Sequence, residues 1–390
     1  MSNCGKSTVI RGGRTLLPTG EALVRDLLLA EGRIQALGSG LAGERTVEAE
    51  GCWVLPGLID LHTHGMGYED CHAGSLVEYA QLEAASGATT VYATLYGSAE
   101  ENAEVLERQR RETDELRATP NVAGFRLEFP YVAQPGAGAL DDLGTITPER
   151  TRLMRAAGGS HLKIWDVAPE LPGAVEFIRE AAALGIVTSL CHTRATVEQA
   201  RAAVDAGARL VTHLYDVFVL PEVTEGGVYP AGLVDYLLLE DRVVCEIIPD
   251  GTHVPPLGVE KAYRCKTPRG LAMITDSAFG SGLPPGEYVQ PDSGKLYVIR
   301  DRNDGRRDHA QRMGLSGSAL TPLDAFRNTV NMFGKGVAVA SQVCSATPAR
   351  LMGLNKGEIA VGRDADLVVL NPAFEVRATL VAGQVVYQPG

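Results

Sequence analysis

The chain has no stretch of about 18 apolar residues, so hydropathy offers no membrane-spanning helix. None of its seven cysteines (Cys4, Cys52, Cys71, Cys191, Cys245, Cys265, Cys344) falls in a C-x-x-C pair. Their odd number and irregular spacing argue against a disulfide framework or a structural zinc site, and for a reducing compartment. Positive charge is short: 36 Lys and Arg stand against 48 Asp and Glu, a net charge of −12. That balance disfavours nucleic acid or an anionic membrane as partner and leaves a small molecule. The first residues, Met1 to Lys6, lack an apolar leader core, so a cytoplasmic setting is expected. No fixed-period repeat and no long low-complexity tract interrupts the chain. What is present is bulk: 390 residues, 45% of them hydrophobic, suffice for one large α/β domain and a smaller one.

The two ends read alike. Thr8–Gly13, Ala22–Ala30 and Arg33–Gly38 are β-rich runs cut by Gly, Pro and Asp-type breakers. Lys356–Gly362, Ala365–Leu370 and Val376–Tyr387 repeat that style. Residues 1–54 and 356–390 are therefore expected to share one small β-sandwich. Residues 55–355 alternate strands and helices. Strands are expected at Val54–Leu61, Ala88–Leu95, Asn121–Glu128, His161–Val167, Gly185–His192, Arg209–His213, Arg242–Asp250 and Gly270–Asp276. Helical stretches separate most of them, for example Ser75–Ser86, Glu100–Arg117, Gly173–Leu184 and Thr196–Ala206. Eight such units call for a (β/α)₈ TIM barrel. A doubly wound sheet lacks support, because no G-x-G-x-x-G follows the first of these strands. Gly280–Leu315 reads as a loop with a small hairpin around Lys295–Arg300, followed by helices at Thr321–Phe333 and Val337–Met352.

The chemistry gathers at strand ends. The first barrel strand ends in His62-Thr63-His64, and period-2 alternation points both imidazoles the same way. Later strands end in Glu128, His192, His213, Asp250 with His253, and Asp276. In a barrel all these ends face one mouth, where the sites of this fold lie. A strand-end histidine taken alone is more often a satisfied polar residue than a ligand. Five of the eight histidines converging with carboxylates is the pattern of a metal-dependent hydrolase. His72, His161 and His309 read as bystanders.

The same residues resemble the amidohydrolase superfamily over nearly the whole chain, most closely its N-acetylglucosamine-6-phosphate deacetylases. Pro56-Gly-Leu-Ile-Asp-Leu-His-Thr-His-Gly65 resembles the first metal motif. Leu127-Glu128, Ala168-Pro-Glu170, His192-Thr-Arg-Ala-Thr196, Thr212-His213-Leu-Tyr, Asp250-Gly-Thr-His253, Thr275-Asp276 and Gly317-Ser-Ala-Leu-Thr321 follow in the family's order. The resemblance implies that Glu128, His192 and His213 hold one divalent ion, Zn²⁺ or Fe²⁺. It implies that His62 and His64 hold a second, where one is used, with Glu128 bridging. Asp276 is then the base that takes a proton from water and returns it to the leaving amine. His253 polarises the carbonyl or holds the sugar. Arg194, Asp216, Val217 and Ser318 are the expected substrate contacts, and a homodimer is implied. Lys163 lies early in its strand and is expected to be structural rather than a carboxylated bridging lysine.

Four departures concern the substrate. Phe129 replaces a family Gly, and Gln134-Pro-Gly-Ala-Gly-Ala lacks the family's His. Asp216-Val-Phe replaces the phosphate-binding Asn-Ala-Met, and no Arg follows in Pro221–Tyr229. The amide chemistry is expected to be kept, with recognition of a 6-phosphate altered or lost. The alternative is another branch of the superfamily, opening a cyclic amide or cleaving an N-acyl amino acid. A non-enzymatic barrel is disfavoured, since such relatives lose ligands and none is missing here.

Overall fold

The computed structural model describes residues 7–136, 143–221, 225–291, 293–301, 304–309 and 312–390, with side chains undescribed over 304–309 and 312–313. Eight parallel strands form its centre: β1 (Leu58–Thr63), β2 (Ala88–Leu95), β3 (Val122–Leu127), β4 (Leu162–Val167), β5 (Val187–Leu190), β6 (Leu210–Val211), β7 (Val244–Ile247) and β8 (Leu271–Met273). Each pairs with its sequence neighbours. β1 and β2 are buried along their whole length, as apolar runs covered on both sides must be. The ring closes just past the last strand. Thr63 bridges Ser277 in parallel, Asp276 N–H donates to the His62 carbonyl at 2.9 Å, and His64 N–H donates to Ser277 at 2.7 Å. Closure therefore happens at the mouth, among the residues expected to carry the chemistry.

The strands are shorter than expected where the sequence forbids a ladder. β7 stops at Ile247, two residues short of Pro249, whose nitrogen has no hydrogen to give. Helices begin at side-chain caps. Ser98 with Glu101 and Thr196 with Gln199 make capping boxes at Ala99–Glu112 and Val197–Ala206. The helix expected over Val337–Met352 is three pieces, with a π turn at Gln342–Ala346 between Val337–Ser341 and Thr347–Leu351. Pro348 explains the widening, because it cannot donate to the carbonyl four residues back.

Both chain ends enter one mixed eight-stranded sheet, with Leu367–Leu370 pairing Trp53–Pro56 antiparallel. Ile10, Leu27, Ile34, Val54, Leu367 and Leu380 form its separate core. The strand Thr8–Leu16 pairs with Arg45–Glu48 over its first half and with Trp53–Val54 over its second. The switch falls at Gly12-Gly13, where the register against Ala22–Ala30 slips. A Cβ on Gly13 would lie 2.3 Å from Val54 Cγ2, so only glycine lets the strands approach.

Gly280–Leu315 is more ordered than a loop with one hairpin. It is a four-stranded antiparallel sheet of Gly286–Val289, Leu296–Asp301, Asp304–His309 and Arg312–Leu315. Phe279, Tyr288 and Tyr297 anchor it. The run Arg300–His309 holds no apolar side chain, so period-2 patterning had little to register.

Candidate metal centre

Alternation along β1 separates two jobs. Thr63 turns outward, where its Oγ1 meets Glu83 Oε1 at 3.1 Å and Ser277 Oγ at 2.7 Å. His62 and His64 turn inward, and their Nε2 atoms lie 3.0 Å apart. Glu128 follows β3, its N–H donating to the Leu95 carbonyl at 2.9 Å. His192, His213 and Asp276 sit in the left-handed region, with φ of 43°, 25° and 50°. Such a conformation costs energy in a residue with a side chain, and clusters of it mark functional sites. Here the turn ends each strand abruptly and aims its side chain across the mouth.

One carboxylate meets four imidazoles. Glu128 Oε1 lies 3.2 Å from Nε2 of both His192 and His213. Its Oε2 lies 3.3 Å from His64 Nε2 and 3.8 Å from His62 Nε2. Across the mouth, Asp276 Oδ1 lies 3.4 Å from His62 Nε2 and 3.3 Å from His64 Nε2. Two donor groups result, His62–His64–Glu128 and Glu128–His192–His213 with Cys191 nearby.

Tautomers are fixed from behind. His64 Nδ1 meets the Thr94 carbonyl at 3.1 Å, and His192 Nδ1 meets the Gln134 carbonyl at 2.9 Å. A carbonyl only accepts, so Nδ1 carries hydrogen and Nε2 is left toward Glu128, as a metal ligand requires. Burial opposes charge on these rings, but the neighbouring carboxylates outweigh it. Asp276 and Glu128 push His64 up to about 10, and Glu128 with Asp216 pushes His213 up to about 10. Burial would raise Glu128, yet the His62 charge and the bonds to His192 and His213 hold it well below the usual carboxylate range. Nitrogens and oxygens packed this way need positive charge between them, which protons or a cation can supply. A borderline divalent ion with N/O ligands fits the set. Burial pushes the Cys191 thiol up, so it stays a thiol beside this group.

The other expected residues are distributed differently. Asp216 and Val217 line the same cavity as Glu128, together with Phe129, Tyr297, Leu315 and Ser316. The four-stranded sheet thus supplies part of the wall. His253 is pinned 2.5 Å from Asp250 and is not among the described lining residues. Arg194 is exposed and engaged through its backbone N–H, which donates to Glu170 at 2.5 Å. Ser318 donates its hydroxyl to the Thr275 carbonyl at 2.5 Å, fixing the chain beside Asp276. Lys163 is the second residue of β4, at the end opposite the mouth. His161 pairs with Glu115 on the surface, and His72 packs on Tyr96, whose ring also contacts His64. The side chain of His309, residues 137–139 of the Gln134 segment and 222–224 of the Pro221 segment lie outside the described residues.

Sequence reasoning passed over a buried ionic cluster under the mouth. Arg126, two residues before Glu128 on the same strand face, donates to Asp166 at 3.1 Å and Glu246 at 2.6 Å. All three side chains are fully buried. A signal existed: each is a lone charge inside an apolar strand, in Phe125-Arg-Leu127, Trp165-Asp-Val167 and Cys245-Glu-Ile247. Asp60 was missed as well. It accepts from Thr275 Oγ1 at 2.6 Å and ties β1 to β8.

A closed parallel barrel with such a donor set at its C-terminal mouth has the architecture of the barrel hydrolases. The model of the Amidohydrolase family matches residues 53–386, and the chain belongs to that family. It is 30% identical to the N-acetylglucosamine-6-phosphate deacetylase of Bos taurus, covering 99% of this chain and 95% of the relative. It is 29% identical to the N-acetylgalactosamine-6-phosphate deacetylase of Escherichia coli O157:H7, covering 96% and 98%. A solved N-acetyl-D-glucosamine-6-phosphate deacetylase from Mycobacterium smegmatis superposes with a TM-score of 0.84 at 28% identity, covering 98% of this chain and 100% of that one. Among the described residues no helix is long and apolar enough to cross a membrane.

Proposed function

We propose that this amidohydrolase removes the acyl group from an N-acetyl amino sugar or a close analogue. Residues 55–355 form the catalytic unit, and 1–54 with 356–390 its companion. The observation that carries the reading is Asp276 facing the His62–His64 pair across from the shared carboxylate Glu128. His62, His64 and Glu128 would hold one divalent cation, and Glu128, His192 and His213 another. A cation there supplies Lewis acidity toward the amide carbonyl and toward a water molecule. Asp276 is ionised at neutral pH: burial opposes this, but the charges of His62 and His64 outweigh burial and lower its pKa. It takes the proton from the attacking water and delivers it to the departing nitrogen. His253, held by Asp250, feels the charge of Asp216 and Asp276 and is assigned to the carbonyl oxygen or the sugar. Lys163 is far from this chemistry, which disfavours the cyclic-amide branch that uses a bridging lysine. The described cysteines are all unpaired, in keeping with a cytoplasmic setting, and a homodimer completes the proposal.

The substrate's far end carries no phosphate in this reading. Asp216 lines the cavity and no described residue pairs with its carboxylate. Two unit charges about 4 Å apart repel by roughly 4 kcal/mol at an effective dielectric near 20. That is about three powers of ten in affinity. The test is turnover of N-acetylglucosamine with and without a 6-phosphate, using protein reconstituted with Zn²⁺, Fe²⁺ or Mn²⁺. Deacetylation that favours the unphosphorylated sugar is expected. Efficient turnover of the phosphate ester with the free sugar inert would overturn the phosphate part. Inertness toward every N-acyl sugar would overturn the whole.

A further inference from the structure

Four of the ring nitrogens at the mouth face carboxylates, and two of those rings are fixed from behind by a carbonyl. His62 and His213 differ: Nδ1 of each is buried and has no hydrogen-bond partner among the described residues. Of the two, only His62 has a described carboxylate within ion-pair reach on that side. Glu246 Oε2 lies 3.8 Å from the His62 Nδ1, roughly an ångström beyond a hydrogen bond. Glu246 is itself immobilised: Arg126 Nη1 donates to its Oε1 at 2.6 Å and Nη2 to its Oε2 at 3.1 Å. Asp166 holds the same guanidinium from another side, through Nε and Nη2. Arg126 also donates to the Leu61 carbonyl at 2.9 Å, one residue before His62. One guanidinium is thus shared by two carboxylates on the side of His62 away from Glu128.

We infer that Glu246 is the positioning residue of His62: it accepts from Nδ1–H when Nε2 takes a cation, and so sets the ring's tautomer and tilt. Arg126 and Asp166 fix Glu246 in place. The inference rests on His62 being a metal ligand, but its test needs no substrate. Ligand-orienting partners of this kind change metal affinity by about tenfold to a hundredfold.

The test compares Glu246→Gln with Asp166→Asn, which removes the same charge from Arg126 without facing His62. Zinc is titrated into metal-free protein, and bound zinc per chain is measured after dialysis. Glu246→Gln is expected to bind zinc in the His62–His64 group about tenfold to a hundredfold more weakly, while Asp166→Asn stays near wild type. Equal losses in both variants would mean that charge alone matters and would overturn the inference. So would wild-type binding in Glu246→Gln. Should Glu246→Gln fail to fold, nitrogen NMR of the imidazole rings in zinc-loaded wild type decides. His62, assigned by the signal lost in His62→Gln, must carry hydrogen on Nδ1, and an unprotonated Nδ1 would overturn the inference. If tautomer and zinc binding behave as expected while no N-acyl sugar is cleaved, the functional reading fails and this one stands.

Discussion

Asp276 and His64 meet across the seam that closes the barrel, Oδ1 to Nε2 at 3.3 Å. The seam brings β8's end against β1's end, so closing the fold and bringing the proposed base beside its histidines are one event. Asp276→Asn keeps the shape and removes the proton acceptor. We expect kcat to fall by about 10²–10⁴ while bound zinc stays near the wild-type content. Elemental analysis beside steady-state kinetics checks it. Retained activity would remove Asp276 as the base, and loss of metal in step with activity would show that it is a ligand first.

Glu128 is the shared member of both donor groups. Glu128→Gln should therefore remove binding at both positions, whereas His213→Gln should weaken only the group with His192. Metal per chain is the readout. If Glu128→Gln keeps its full metal complement, the bridging role is wrong. Each variant leaves buried groups short of a partner, so thermal unfolding of the metal-free proteins should be compared alongside.

These residues were legible because period-2 alternation and the strand-end rule depend on local sequence alone. His62 and His64 share a face wherever a strand forms, and Glu128, His192, His213 and Asp276 each close an apolar run. The Arg126–Asp166–Glu246 cluster was not legible, because pairing β3 with β4 and β7 across the interior depends on barrel closure. Arg194 and Ser318 went elsewhere for a related reason. Each follows a residue of positive φ, His192 two before Arg194 and Gly317 just before Ser318, and past such a turn adjacency does not predict direction. Of the sheet at Gly286–Leu315 only the hairpin around Lys295–Arg300 was legible, because Asp304–His309 holds no apolar residue to pattern.

Glu83 makes stability depend on pH. Its side chain is fully buried behind β1, and Oε2 has no partner among the described residues. Burial pushes its pKa up to about 8. An unfolded glutamate titrates near 4.3, so between these values the folded state holds a proton that the unfolded state has released. The contribution is full below about 4.3 and is lost as pH rises through about 8. Glu83→Gln keeps the acceptor toward Thr63 and cannot ionise. Denaturant midpoints between about pH 5 and 9 should fall less with pH in Glu83→Gln than in wild type. Parallel curves would mean Glu83 is ionised throughout.

Asp216 lines the cavity, and in the proposed reading its charge bears on the substrate's far end. Asp216→Asn removes a repulsion worth up to roughly 4 kcal/mol at close range, and solvent at a half-buried wall reduces that figure. We therefore expect kcat/KM for N-acetylglucosamine 6-phosphate to rise by about ten- to a hundredfold, with the unphosphorylated sugar changing little. Because the gain lies in binding, it should appear mainly in KM and shrink at high salt. His213 adds an internal check. Asp216 helps keep that imidazole charged in the absence of a cation, so metal-free Asp216→Asn should also show a lower His213 pKa by NMR. A variant that lowers the His213 pKa yet leaves both sugars unchanged would place Asp216 near the metal ligands but outside the substrate's reach.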